Sequence, residues 1–342
     1  MAEVQEQFTL QNRLKTETIE TFKANIGLII GLVVLCVIVS IWSEFFFTGQ
    51  NMINVLRQIS TNLFVASAMT MILITGGIDL SCGWVISLSG VLAAGVMYRH
   101  GLPAFAGVMV GLAVGAVVGF INGFILSRTV LPPFIITYSI GSICRGISYI
   151  YSNSENIRID NVSYRWLGTG NIGPVPTPVF FLLIVLLIVW LILNKTKMGR
   201  NMYAVGGNVH AAEYSGINIK RIRLFMYVFS GIMASVAGVI LSARTYSGRS
   251  ANGNGAEMDA IAAVVLGGTS MLGGAGRLSG TIFGAIIIGV LNNGLNLMGM
   301  DSYWQYVAKG AVIIAAVYFD YYKNSLTRRK VKRVFSIGKN DM

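Results

Sequence analysis

Charge is scarce in this sequence. Asp, Glu, Lys and Arg make up 12% of its 342 residues, whereas soluble domains carry about 25%. Apolar residues reach 54% and the mean hydropathy is +0.66. That balance excludes an ordinary soluble enzyme and a disordered chain. Cysteine is also rare. Cys36, Cys82 and Cys144 are odd in number and lie in or beside apolar runs, so no disulfide framework or zinc spacing is expected. They read as small packing residues. His100 and His210 are the two histidines, and no metal or cofactor is expected. There is no GxxxxGK[ST] run, so the chain has no phosphate-cradling loop of its own. Nor does a carboxylate fall at the centre of an apolar run: Asp79, Glu257 and Asp259 sit near run ends. Ion-coupled transport, which uses intramembrane carboxylates or broken-helix ion sites, is therefore poorly supported. The first 25 residues lack the basic start, apolar stretch and small-residue cleavage site of a signal peptide.

Glycine, by contrast, is abundant, at 40 residues with no G-X-Y period. In membrane helices it lets backbones approach closely. Ten apolar runs follow, at 26–47, 53–75, 84–97, 103–126, 134–151, 178–193, 222–242, 258–272, 279–298 and 303–321. The expected class is an all-α polytopic membrane protein of about ten helices. At about 1.5 Å per residue, 258–272 spans roughly 22 Å, less than a hydrocarbon core of about 30 Å. With Gly267-Gly268 and Gly273-Gly274 at its end, it reads as a broken or re-entrant helix, tolerated where protein or water covers its backbone. The net charge of +12 lies in short segments between runs rather than on a basic face, which argues against nucleic-acid binding. With both termini cytoplasmic, eighteen Lys and Arg fall inside. Five fall outside: Arg99, Arg158, Arg165, Arg244 and Arg249. That agrees with the positive-inside rule. Two five-helix halves would then have opposite topology, as in inverted-repeat transporters, although no sequence register relates them.

Segment 194–221 is the longest internal connection on the cytoplasmic side. Asn208 suits a helix N-cap and Gly216 the left-handed position past a helix end. Ala211, Ala212 and Ser215 give the short helix between them small residues. It reads either as a docking element for a partner or as a plain connector. Asp79 follows Gly76-Gly77 and precedes the third run, where it caps that helix or forms part of a gate in preference to touching substrate. Asn122, Asn292, Asn293 and Asn296 lie within runs, where Asn commonly joins helices. Arg145 lies about 16 Å into its run, and an Arg at that depth should face a cavity or a partner. Arg57 and Lys309 lie nearer the outer surface, where such side chains snorkel. Tyr303, Trp304 and Gln305 mark the outer end of the tenth run as an interfacial anchor or a partner contact.

Four ordered motifs resemble the monosaccharide permeases of ATP-binding-cassette importers. They are Thr75-Gly-Gly-Ile-Asp-Leu-Ser81, the loop Gly206-Gly-Asn-x-x-Ala-Ala-x-x-Ser-Gly-Ile217, Leu266-Gly-Gly-Thr-Ser-x-x-Gly-Gly-x-Gly276 and Tyr303-Trp-Gln-Tyr-x-x-Lys-Gly310. The likeness covers roughly residues 30 to 325 and is nearest to the ribose, galactose and xylose group. Branched-chain amino acid permeases are more distant. The resemblance implies a non-enzymatic transport subunit in a bacterial cytoplasmic membrane. It would be paired with a second permease copy, a cytoplasmic ATPase and a periplasmic or lipid-tethered sugar-binding protein, and surrounded by membrane lipid. It assigns ATPase coupling to Gly206, Gly207, Asn208, Ala211, Ala212, Ser215 and Gly216. The gate or sugar pathway would draw on Asp79, Ser81, Asn122, Arg145, Asn292 and Asn293. The binding protein would meet Tyr303, Trp304 and Gln305. The expected division is a cytoplasmic N-terminal segment (1–25), a transmembrane permease domain (26–321, with coupling loop 194–221) and a basic cytoplasmic tail (322–342). The remaining readings are a permease for a branched-chain amino acid or nucleoside, an ion-coupled secondary transporter, and a membrane-embedded enzyme or sensor, for which no catalytic cluster is found.

Overall fold

The computed structural model describes residues 25–301, 303–308, 310, 311, 314 and 318. The tail at 322–342, the N-terminal segment up to residue 24 and Lys309 lie outside the described residues. Helices stand at the first nine apolar runs, and the tenth is described as helix over 303–308. Six of them are long and apolar enough to cross a membrane: α1 (Asn25–Trp42), α3 (Cys82–His100), α4 (Ala104–Arg128), α7 (Thr177–Lys195), α10 (Ile219–Arg244) and α12 (Leu278–Leu297). Helices α2 (Gly49–Ile74) and α5 (Pro133–Ser152) have the length but carry more polar groups.

Two faces lie at opposite ends of α7. At one end stands α6 (Val162–Thr169), near two short antiparallel pairs. Strand β1 (Ile157–Arg158) pairs with β4 (Ser247–Gly248), and β2 (Asn171–Ile172) with β3 (Val175–Pro176). At the other end are α8 (Lys197–Gly207) and α9 (Val209–Tyr214).

The core is built on α4 against α10. Gly107, Gly111, Gly115, Gly119 and Gly123 recur every fourth residue of α4 and are all buried. A Cβ at Gly115 would strike the Gly231 carbonyl oxygen, and one at Gly119 the Tyr227 carbonyl oxygen. One at Gly123 would stand 2.9 Å from the Leu224 Cα. Each helical Gly costs about 1 kcal/mol of propensity. The close backbone packing it permits offsets that cost in a bilayer, where no hydrophobic force drives helices together.

The short eighth run forms a short helix preceded by non-helical chain. Chain 245–255 passes beside α3, with Gly248 against Ala94 and Gly253 against Ile86. Helix α11 (Ala256–Leu266) then runs about 16 Å toward the α9 face, where Gly267 abuts Gly280. Gly268 at φ +82 helps to end it. Hydroxyls cover the non-helical stretch: Ser87 donates to the Ser250 carbonyl at 2.8 Å, and Ser250 to the Ser148 carbonyl at 3.0 Å. This is the protein cover that irregular backbone needs at membrane depth.

Candidate functional site

Three of the sequence motifs meet on the α9 face. Thr196 accepts from Gly199 N to start α8, and Asn208 accepts from Ala211 N at 3.0 Å to start α9. Gly206, between those caps, lies against the end of α2: a Cβ there would collide with the Ile74 carbonyl oxygen. That oxygen instead accepts from Gly274 N at 2.7 Å. Tyr203 donates to the Gly276 carbonyl at 2.9 Å. Burial holds the Tyr203 phenol above its ordinary value, against the opposing pull of Arg277, which keeps the donor proton in place. The end of α2, the end of α8 and the glycine turns after α11 thus form one knot. Gly207, beside it, has open space.

Helix α9 turns Ala212 inward, where it is buried against the core. Its small size serves packing within the chain. Ala211, Ser215 and Gly216 remain exposed. Tyr214, which the sequence reading passed over, stands 92% exposed on the same surface. A cavity of about 620 Å³ opens beside α9, with Gly76, Arg128, Gly206, Glu213, Lys220 and Arg223 in its wall.

Segment 75–81 leads inward from the knot. Asp79, 1% exposed, accepts from Ser81 N at 2.9 Å and Ser81 Oγ at 2.6 Å on one oxygen, and from Ser230 Oγ at 2.7 Å on the other. Asn122 Nδ2 donates to Ser81 Oγ at 2.9 Å. Thr137 Oγ1 accepts from Leu80 N at 3.0 Å. Asp79, Ser81 and Asn122, chosen from sequence, therefore do assemble. Ser230 and Thr137 complete the cluster and were missed, since a lone hydroxyl in an apolar run gives no signal. Ser81 is the N-cap residue of α3 without a side-chain cap bond. Asp79 fastens the turn to α10 and leaves the first helical turn alone. The Glu257 carboxylate approaches that turn, where a Cβ at Gly83 would strike it.

Helix α5 lies against this cluster and divides into three stripes. Thr137, Gly141, Cys144, Ser148 and Ser152 are buried. Gly141 sits close to Ser81 Cα and the Trp84 ring. Ser148 pairs with Ser87 at 2.8 Å, and Ser152 with Ser250 at 2.8 Å. Ile136, Ile140, Ile143 and Ile147 form an aliphatic flank, and Tyr138, Ser142, Arg145 and Tyr149 a polar and aromatic one. Arg145 is exposed. Its guanidinium lies 4.5 Å from the Trp84 ring centre and 6.0 Å from that of Tyr149.

The other selected residues lie apart. Asn293 and Asn51 exchange bonds of 2.8 and 3.0 Å between α12 and α2, a helix-joining role worth about 0.6 kcal/mol in membranes. Asn292 reaches Asp259 at 3.5 Å. Tyr303 and Trp304 are exposed, and Gln305 donates to Asn296 at 2.7 Å. Arg57 donates to the Thr169 carbonyl at 2.7 Å and to Asn171 at 3.3 Å, fastening α2 to the end of α6 and to β2. It does so in place of free snorkelling.

Residues 51–317 match the family described as branched-chain amino acid transport system / permease component. The chain is 41% identical over 323 residues to the ribose import permease protein RbsC of Bacillus subtilis, covering 91% of this chain and 100% of that one. It is 43% identical over 296 residues to RbsC of Escherichia coli K12, covering 85% and 92%. Identity to the D-allose transport system permease protein AlsC of the same strain is 36% over 291 residues, covering 84% and 89%. No solved structure matches the chain.

Proposed function

We propose a transport function for a chain that belongs to the permease-component family of branched-chain amino acid transport systems: it is the membrane permease of an ATP-driven importer for a monosaccharide. The sugar assignment rests on ribose, the substrate named for the 41% and 43% identical relatives, and on the intact Thr75–Ser81 motif. The chain lies in a bacterial inner membrane with both termini cytoplasmic. Ten crossings, in two halves of opposite topology, place α9 in the cytoplasm and α6 outside, between the N-terminal segment 1–25 and the tail 322–342. A separate ATPase docks on the α9 surface, on Gly207, Asn208, Ala211, Ser215, Gly216 and Tyr214. Two copies of the chain enclose the path, and a sugar-binding protein delivers substrate at Tyr303, Trp304 and Gln305.

The observation that carries this reading is the knot at Ile74, Gly206 and Gly274. A shift of α8 and α9 has no slack there. It bears directly on the end of α2 and so on segment 75–81. Asp79 passes the shift to α10 through Ser230, and Thr137 and Gly141 pass it to α5. Helix α5 then carries Tyr138, Ser142 and Arg145 along the path. A central Arg facing lipid costs about 2.5 to 3.5 kcal/mol or more, which favours a water-filled side for that stripe. Ser139 and Ser142 need no such water, because they donate to the carbonyls of Ile135 and Tyr138 within the helix.

The test is uptake in proteoliposomes. With the copurified ATPase and binding protein, ATP should drive accumulation of ribose or a related sugar. The purified chain alone should hydrolyse no ATP. Uptake of a branched-chain amino acid with no sugar uptake would move the chain to the substrate named in its family's description.

A further inference from the structure

Arg145 stands seven residues from the end of α5 and twelve from its start, so its charge sits inside the helix span. Its guanidinium lies 4.5 Å from the Trp84 ring centre and 6.0 Å from that of Tyr149. Rings satisfy no N–H donor and neutralise no charge. Among the described residues both ion pairs fall on Asp160, with Arg158 and Arg165, and neither involves Arg145. A positive charge with no ion-pair partner among the described residues thus projects from the polar flank of the helix that faces the proposed path.

We propose that Arg145 is a selectivity element of the path, an electrostatic barrier that lets a neutral polyol pass and turns back cations. The inference rests on the reading that α5 lines a water-filled path. A membrane that sustains an ion gradient cannot tolerate a sugar-sized opening to protons or metal cations. Gates alone leave that risk at every cycle. A unit charge at the protein wall of a narrow path repels like charge over several ångströms more strongly than it would in bulk water, and placing Arg in a pore to exclude protons and cations is a physical device of channels. A sugar has no net charge to repel. Its hydroxyl oxygens accept from the same guanidinium N–H groups that face the water. The Trp84 ring, 4.5 Å from the guanidinium, holds the charge beside the path.

The experiment uses the full chain in liposomes, with leak of K⁺ and protons followed by an internal dye. Arg145→Gln should raise cation leak by about tenfold or more, while Arg145→Lys, which keeps the charge, should stay within about twofold of the unmutated protein. Equal leak from Arg145→Gln and the unmutated chain would overturn the barrier, as would equal rises in both variants. If Arg145→Gln fails to fold, the residual conductance of the unmutated protein decides: it should favour small anions, and cation preference would overturn the proposal. Labelling of Ser142→Cys by a membrane-impermeant thiol reagent separates the two layers. No labelling would remove the path itself, whereas labelling with unchanged leak would remove the barrier alone.

Discussion

Helices α4 and α5 are each held by a row of small residues, yet the two rows do different things. On α4 the row is glycine, from Gly107 to Gly123, and at Gly115, Gly119 and Gly123 the α10 backbone presses onto it. On α5 the row is Thr137, Gly141, Cys144, Ser148 and Ser152, and contact with α3 and segment 247–255 runs through hydroxyls. Backbone contact without side chains has one fit, because carbonyls that close have no second position. Hydroxyls have alternatives within reach: Ser87 and Ser250 each bond two partners. The molecule thus combines a fixed seam with an adjustable one, and the adjustable one carries the exposed polar stripe.

The largest effect should come from filling the fixed seam. Gly115→Leu drives a side chain into the Gly231 carbonyl and should abolish the folded, monodisperse permease in detergent. A normal melting profile would break the comparison at its base. Next comes the knot. Gly206→Val should cost about 2 kcal/mol or more from overpacking and abolish uptake, because the Ile74 carbonyl occupies the space. Gly207→Val meets nothing in the chain and should leave the melting temperature within about 2 °C, yet lower coupled uptake several-fold while ATP hydrolysis continues. Uptake at the unmutated rate in Gly207→Val would remove this residue from the docking surface. Asp79→Asn keeps the size but replaces one acceptor oxygen with an NH₂ donor, at about 1 to 3 kcal/mol for a buried polar group left unpaired. Uptake should fall about tenfold with the protein still inserted. Smallest is Ser148→Ala on the adjustable seam, expected at about 0.6 kcal/mol in a thermal-shift assay. A loss as large as that of Gly115→Leu would erase the distinction between the seams.

The helices were legible because each needs a long apolar run, and the shortness of α11 because its run is short and ends in paired glycines. Asp79, Ser81 and Asn122 were legible as polar groups in apolar surroundings. The glycine ladder of α4 was visible as a four-residue spacing but went unread, since a count of glycines carries no phase. Tyr138, Ser142, Arg145 and Tyr149 share one flank at helical spacing, and that too was readable. Ser230 and the Ile74–Gly206–Gly274 knot were not. The first is one serine among many, and the second joins positions about 70 and 130 residues apart through backbone atoms that every residue type possesses. Ala212 shows the opposite limit: small size alone does not tell an inward face from an outward one.

In the proposed mechanism a motor outside this chain moves α5 through the knot and segment 75–81. Its most direct test is the distance between spin labels on Ser142→Cys of two permease copies, with Cys36, Cys82 and Cys144 replaced, in the presence of the ATPase. ATP binding should shift that distance by several ångströms, and Gly207→Val should suppress the shift. A distance that stays fixed while sugar is transported, or one that moves equally without the ATPase, would contradict the account.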